Sequence, residues 1–534
     1  MVSHYSSFII LALALLVFQH ISLIITGYKR PPVIFFPLKD IFGEKHFKNL
    51  AKIKRRFLST WTLPVLLTIV GLLLTPWWNW GNIDTYHIIR PIIIISSTII
   101  TWRAISMDID LATGKTNFLY RFLMFLSCFG VWYHPAFTII LLHIGTTWLR
   151  SYYHHQHLSI RLIFMLVSCL IGLSIINSIN LILETPISIH FIEPVYIGFM
   201  CVVGSHYFIP GLKKMQLGTH WYSWIKENKL HNIVSSAYAW GWARFLPEKY
   251  IVKIIKVIKP FDVYIQAITI LFEAGAIFIL LNDKLSIALI LLFISFHLMV
   301  WLLSGILFWQ FIIANLSLIW GILVLPNEVN NLIFNPINMF IPAVVFFLKV
   351  WKTASLAWWD TSFAGYIEYE VVGESGKSYG LYNDFMCPNE RIYGQLYGHF
   401  LSDEKRINGH LGESKRKESF DAIEDAKKGL LSIEQIKKEI GESLYDSKLI
   451  EIHDKYIISF IKNYNLGKKK HIFPKWLKAP GGQMFYWGNF DRFKGQESIK
   501  ELIVHYKEEF FDGEKINLEL SKVVKKYYFE LNKV

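Results

Sequence analysis

Leu285–Ile306 reads LSIALILLFISFHLMVWLLSGI, 22 residues without an Asp, Glu, Lys or Arg. As a helix it would measure about 33 Å, enough to cross the roughly 30 Å hydrocarbon layer of a bilayer. Backbone groups cannot stay unpaired in hydrocarbon, so such a run predicts a spanning helix. Similar runs surround it. Val263–Leu281 precedes it, and Phe308–Leu325 and Leu332–Lys349 follow. Towards the N-terminus lie Ile187–Ile209, Ile160–Leu183, Ala136–Leu149, Phe118–Trp132, His87–Trp102, Leu58–Trp77 and Phe8–Ile25. His134-Pro135 separates two of these runs. Depending on how such breakers are read, about nine spans result, with eight to eleven allowed. The expected fold class is an all-α polytopic membrane helical bundle over residues 1–350, followed by a small soluble α+β domain over 351–534.

Composition supports this division. Of the 534 residues, 53 % are hydrophobic and 18 % charged, and the mean hydropathy is +0.35. Such a chain can bury ample apolar surface, which excludes global disorder. Four cysteines without a CxxC pair exclude a disulfide scaffold. The net charge is +14, and nearly all of it lies before Lys352, between apolar runs. Anionic lipid headgroups are therefore the expected partner, and nucleic acid is not.

Phe8–Ile25 lacks a basic leader and a small-residue cleavage site, so it reads as a retained helix. The loop Gly27–Phe57 carries nine Lys and Arg against Asp40 and Glu44, which predicts a cytoplasmic location. Gly211–Pro260 is also basic and carries Trp221, Tyr222, Trp224, Tyr238, Trp240 and Trp242. Aromatic residues favour the headgroup level, so helices lying along the interface are expected, with an ordinary loop as the alternative.

Beyond Lys349 the pattern changes. Tyr366–Val372, a Gly373–Gly376 turn and Ser378–Phe385 suggest a hairpin. Ile503–Phe510, Asp512-Gly513 and Ile516–Leu520 suggest another. Phe420–Leu430 and Ser432–Ile440 are helical in pattern, with a capping-box signature at Ser432 and Gln435.

A charge near the bilayer centre costs about 2.5–3.5 kcal/mol on insertion scales, so ionisable residues in apolar runs require a reason. Glu193, His206, Glu273 and His297 lie within such runs, His134 lies at a break, and Lys213 and Lys214 follow Pro210-Gly211. This set suits proton abstraction. An apolar surrounding disfavours the charged form of an amine and leaves a neutral base. A histidine hydrogen-bonded to the amine could orient it, and a carboxylate could orient the histidine. Structural roles compete: the lysines can snorkel, Glu273 can bridge helices and His134 can cap one. His154, His155 and His157 match no standard metal spacing, so no metal site is expected.

Tyr207-Phe208-Ile209-Pro210-Gly211-Leu212-Lys213-Lys214, followed by Trp221, resembles the YF-x-x-G-x-x-K…W signature of horizontally transferred transmembrane (HTTM) domains. Phe296-His297-Leu298-Met299 with Ser304, Phe308 and Phe311 resembles that family's later histidine helix. Trp132 and His134 resemble its W…H helix start. The similarity covers roughly residues 50–350. The group includes the vitamin K-dependent γ-glutamyl carboxylases, so the resemblance implies a carboxylase-like lyase. Lys214, His134 and His297 would be catalytic, with Lys213, Glu273, His206 and Glu193 supporting. Reduced vitamin K (a quinol), with O2 and CO2 as co-substrates, and a peptide or protein substrate would be implied. The expected location is a bacterial cytoplasmic (inner) membrane. The interval from Gly211 to Trp221 is longer and the tail shorter than the carboxylase pattern. The alternative is a non-enzymatic transporter or scaffold with buried proton-relay residues. A lipid acyltransferase would need a His-x4-Asp motif, which is lacking.

Overall fold

The computed structural model describes residues 86–106, 118–147, 158–180, 192–348, 356–382, 398–408, 412–467 and 490–530, with a few isolated residues beside them. The expected spans Phe8–Ile25 and Leu58–Trp77, the loop Gly27–Phe57 and the His154–His157 tract lie outside the described residues.

Among the described residues, the continuous helices of the bundle start with α1 (Tyr86–Ile105), α2 (Phe118–Val131), α3 (Phe137–Thr147), α4 (Leu158–Asn180) and α5 (Ile192–Met215). The short helices α6 (Ser223–Glu227), α7 (Asn232–Ala239) and α8 (Glu248–Ile258) follow. Then come α9 (Asp262–Gly275), α10 (Asp283–Ser304), α11 (Trp309–Val324), α12 (Asn327–Ile333) and α13 (Phe340–Phe347). Among the described residues, five helical segments are long and apolar enough to cross a membrane: His87–Ile105, Ile192–Met215, Glu248–Phe278, Asp283–Ser304 and Asn327–Phe347. Phe118–Val131, Leu158–Leu173 and Trp309–Val324 are apolar but shorter.

Helix α5 runs through the middle and is buried along most of its length. Its glycines permit this. A Cβ on Gly204 would meet the Phe346 ring at 2.5 Å, and one on Gly211 would meet Glu273 Cβ at 2.7 Å. Small residues let helices approach where lipid supplies no hydrophobic drive between them. The Tyr196 hydroxyl donates to Leu318 O (2.5 Å) and ties the start of α5 to α11.

The C-terminal unit opens with β1 (Trp359–Asp360) and β2 (Phe363–Gly373). Together β3 (Ser378–Gly380), β2, β7 (Ile499–Phe511) and β8 (Ile516–Tyr528) form an antiparallel sheet in the order β3-β2-β7-β8. The small pairings β1–β5 (Glu413–Ser414) and β4 (Lys405–Arg406)–β6 (Glu442–Ser443) lie beside it. Both expected hairpins are local pairs in this sheet. The helices α14 (Lys417–Lys427) and α15 (Ile433–Ile440) follow, and both halves of the Ser432–Gln435 capping box form on α15. Helix α16 (Ser447–Asn465) covers one face of the sheet with Tyr456, Ile457, Phe460 and Ile461. This 19-residue helix was not anticipated.

The C-terminal unit sits on one end of the bundle. Trp102 Nε1 donates to Leu477 O (2.6 Å), Ala479 N to Ser106 Oγ (3.1 Å) and Trp309 Nε1 to Pro480 O (2.9 Å). These contacts mark the end where α1 finishes and α11 begins.

Candidate functional site

Lys214 lies in the last turn of α5, at the end of the bundle that carries the C-terminal unit. Its Nζ donates to Glu273 Oε1 (2.6 Å) and Oε2 (2.7 Å), and both side chains are buried. The close approach at Gly211 sets this reach, because it brings the α9 backbone against α5 one turn below the amine. The Trp224 ring lies 5.4 Å from Nζ, within cation–π range. The expected amine–imidazole contact is not made: the carboxylate of α9 occupies the position expected for a histidine. Lys213 points elsewhere, to Gln216 Oε1 (2.8 Å).

Two turns down α5, on the same face, Tyr207 organises a second polar group. Its hydroxyl is 2.8 Å from His297 Nε2 on α10 and accepts from Asn315 Nδ2 on α11 (3.0 Å). The Tyr207 and Phe293 rings stack at 3.6 Å, and Phe308 and Phe311 flank His297 at 4.9 and 5.2 Å. His297 Nδ1 and Asn315 Oδ1 are buried without a hydrogen-bond partner. An orphaned polar atom costs about 1–3 kcal/mol, so two beside an aromatic wall suit a ligand that carries hydroxyl or carbonyl oxygens. His206 is half-buried, with Nδ1 2.8 Å from Val202 O and its ring against Phe311.

His134 and Glu193 do not join this cluster. His134 Nδ1 accepts from Ala136 N (3.0 Å) and so caps the turn into α3. Arg90, near the start of α1, donates to Trp132 O and is stacked on the Trp132 ring. That contact fixes His134 at the end of the bundle where α1 starts. Ile92 and Tyr196 meet at Gly321, so α5 starts at that end too. Lys214 is therefore at the opposite end. Glu193 is buried in the first turn of α5, about 30 Å along the helix from Lys214. Neither Lys214 nor His297 has His134 among its hydrogen-bond or ring partners. Of the expected Lys214–His134–His297 set, no two members touch: Lys214 meets Glu273, His297 meets Tyr207, which also holds Asn315, and His134 lies apart.

The C-terminal unit closes the Lys214 end. Trp224 Nε1 donates to Trp358 O (2.9 Å). Asp360 N donates to Asn228 Oδ1 (2.7 Å), while Asn228 Nδ2 donates to Asp360 Oδ2 (2.8 Å) and Trp358 Nε1 to Asp360 Oδ1 (3.0 Å). Burial pushes the Asp360 carboxyl up to about 7, against the opposing pull of the Asn228 amide, the Trp358 indole and the Lys214 charge. Below this layer, His231 donates through its backbone N–H to Asp262 Oδ1 (3.0 Å), and its Nδ1 lies 2.5 Å from Oδ2. Gln266 Nε2 donates to Asn228 O (3.1 Å).

Sequence reasoning singled out Lys214, Glu273 and His297 but not Asn315, Asn228 or Asp360. Asn315 carried a usable signal, as an amide inside an apolar run. Asp360 did not, because it lies outside the apolar runs in a mixed stretch far along the chain, where a carboxylate has no evident cost. Among the described residues, no group of three or more His, Cys, Asp and Glu could hold a metal ion. Comparison with protein-family models, curated proteins and solved structures returns no match.

Proposed function

We propose that the chain is an integral membrane enzyme of the HTTM type, related to the vitamin K-dependent carboxylases, with about nine spans in a bacterial cytoplasmic membrane. In this reading the Lys214–Glu273 pair takes a proton from a hydrophobic substrate. The supporting observation is the buried Lys214–Glu273 contact on the same face of α5 as the orphaned His297 Nδ1 and Asn315 Oδ1. The pair is neutral as a unit, which an apolar bundle tolerates. Its carboxylate can accept the substrate's proton while the amine stays bound to it, and Trp224, Trp358 and the Asp360 layer shield the pair from water. This differs from a lone neutral lysine: the carboxylate both holds the amine in place and shares its proton.

A quinol fits the residues present. His297 Nδ1 and Asn315 Oδ1 would meet its oxygens, and Phe293, Phe308 and Phe311 would line its ring. When bound, reduced vitamin K would supply the reaction with oxygen that generates a strong base. The chain's own residues would orient the ring, exclude water and hold the proton at Lys214 and Glu273. O2, CO2 and a glutamate-containing peptide would complete the reaction.

The test is incubation of the full chain with vitamin K hydroquinone, labelled bicarbonate and a Glu-containing peptide. The parent should fix label. Lys214→Ala should lose about 10²–10⁴-fold, the usual worth of a positioned base. Removing one partner of a buried pair also destabilises by about 3–5 kcal/mol. The double variant Lys214→Met/Glu273→Leu replaces the pair with apolar side chains and should fold yet remain inactive. Label fixed equally by the folded double variant removes the proposed base. No label with the folded parent removes carboxylation.

A second reading is a non-enzymatic membrane transporter or scaffold with buried proton-relay residues. It draws on the full engagement of the Lys214 amine by Glu273. It gains if the folded parent binds a quinol but turns nothing over.

A further inference from the structure

Helix α8 divides into three faces. At about 100° per residue, Ile251, Val252 and Ile255 share one side, where they are buried against α7 and against Phe511 and Ile516 of the sheet hairpin. Glu248 Oε1 accepts from Ile516 N (2.7 Å) and fixes the start of α8 beneath that hairpin. Lys249, Lys253 and Lys256 fall within an arc of about 60° on a second side, and all three are exposed. Tyr250, Ile254 and Val257, continued by Phe261, fill a third arc of similar width. They are 49 %, 39 %, 59 % and 55 % exposed, too much apolar surface in one stripe for a helix facing water.

Length gives an independent reason. The helical segment Glu248–Phe278 has 31 residues, about 46 Å if straight, against a hydrocarbon layer of about 30 Å. The part after Pro260, Asp262–Phe278, supplies about 25 Å on its own. Helix α8 is therefore left at or beyond the edge of the hydrocarbon. The exposed stripe continues without a break into Val263, Tyr264, Ile268 and Leu271 of α9, which are also exposed.

We infer that α8 is a lipid-binding helix seated in the membrane interface, with Tyr250, Ile254, Val257 and Phe261 among acyl chains and Lys249, Lys253 and Lys256 on anionic phospholipid headgroups. The occupant follows from charge complementarity and from continuity with the apolar surface of α9. An apolar stripe flanked by a lysine ridge is the pattern of helices that lie in the headgroup–acyl boundary. The third face carries the sheet hairpin, so α8 fixes the height of the C-terminal unit, and hence of Asp360, above the bilayer. The inference rests on the bilayer reading under Proposed function and not on any catalytic step.

The experiment uses the full chain in nanodiscs of phosphatidylcholine with one-third phosphatidylglycerol. A photo-crosslinking residue replaces, in separate variants, Ile254, Ile255 or Leu302, the last being an exposed leucine of α10. Positions 254 and 302 should capture lipid, and position 255 should capture protein. Lipid at 302 but not at 254 overturns the lipid-binding helix and leaves the bilayer reading standing. Lipid at neither position overturns both. Capture of a second copy by 254 also overturns the inference. For the headgroups, Lys249→Gln/Lys253→Gln/Lys256→Gln should lower the enrichment of phosphatidylglycerol retained on the purified protein, by up to roughly fivefold per lysine. The charge-matched control Lys428→Gln/Lys448→Gln/Lys455→Gln, all exposed in the C-terminal unit, should leave it unchanged. Equal enrichment in both triple variants overturns the headgroup contact.

Discussion

Asp360→Asn should change the stability of the chain with opposite sign at low and high pH. The parent carboxyl titrates near 7 in the folded protein because it is buried, against an ordinary value near 4 in the unfolded chain. Between these values the folded state binds more protons than the unfolded one. Asp360 therefore contributes stability that is fully present below about pH 4 and is lost as pH rises through 7. At about 1.4 kcal/mol per tenfold change, the loss reaches about 4 kcal/mol by pH 8. The asparagine variant carries no charge and escapes that slope, but it loses a hydrogen bond. Asn228 Nδ2, fixed by the bond from Asp360 N to Asn228 Oδ1, and Trp358 Nε1 both donate to the carboxylate, so whichever way the new amide turns, its Nδ2 meets one of these donors. That mismatch costs about 1–3 kcal/mol at every pH. The variant should be less stable than the parent near pH 4 and more stable near pH 8. The assay is unfolding of the full chain in detergent micelles, followed by its total tryptophan emission, across that range. All other groups titrate in both proteins, so the difference between the two curves isolates Asp360. Curves that stay parallel with pH would refute a buried, proton-binding Asp360.

Three further outcomes follow from the bundle. Gly211→Ala should drive α5 from α9, because its Cβ would sit 2.7 Å from Glu273 Cβ. A cost of about 1–3 kcal/mol is expected, and thermal unfolding with a binding assay for a quinone analogue would show whether stability falls while the Tyr207 group survives. Tyr207→Phe keeps the stack on Phe293 but strips His297 Nε2 and Asn315 Nδ2 of their shared partner. It should lose about 1–2 kcal/mol and weaken quinone binding, and unchanged binding would detach that group from the ligand. His134→Ala should cost about 0.5–2 kcal/mol as a lost cap and leave any Lys214-dependent turnover intact; turnover that collapses without loss of folded protein would restore His134 to the site.

The carboxylase reading and the structure part company at His134. The resemblance treats it as catalytic, while the bundle holds it at the end opposite Lys214, bonded to the Ala136 amide. At Lys214 the correction runs the other way, since a carboxylate that sequence reasoning had placed behind a histidine touches the amine directly.

Apolar run length was legible in the sequence because the thickness of hydrocarbon sets it locally, residue by residue. Helices α10 and α11 therefore match their expected runs within a few residues. The hairpins β2–β3 and β7–β8 were legible for the same reason, as alternation around Gly-rich turns. The β2–β7 pairing that joins them was not, since no local signal brings Phe363 to Phe510. Buried charges announced themselves by their cost, so Lys214, Glu273 and His297 could be named in advance. Their partners could not, because partnership depends on which backbones approach. Gly211 lets α9 come close enough for Glu273 to reach Lys214, and the docking of a distant strand supplies Asp360. Those distances arise only when separate segments pack, and packing is a property of the assembled helices and sheet that no single stretch of the chain contains.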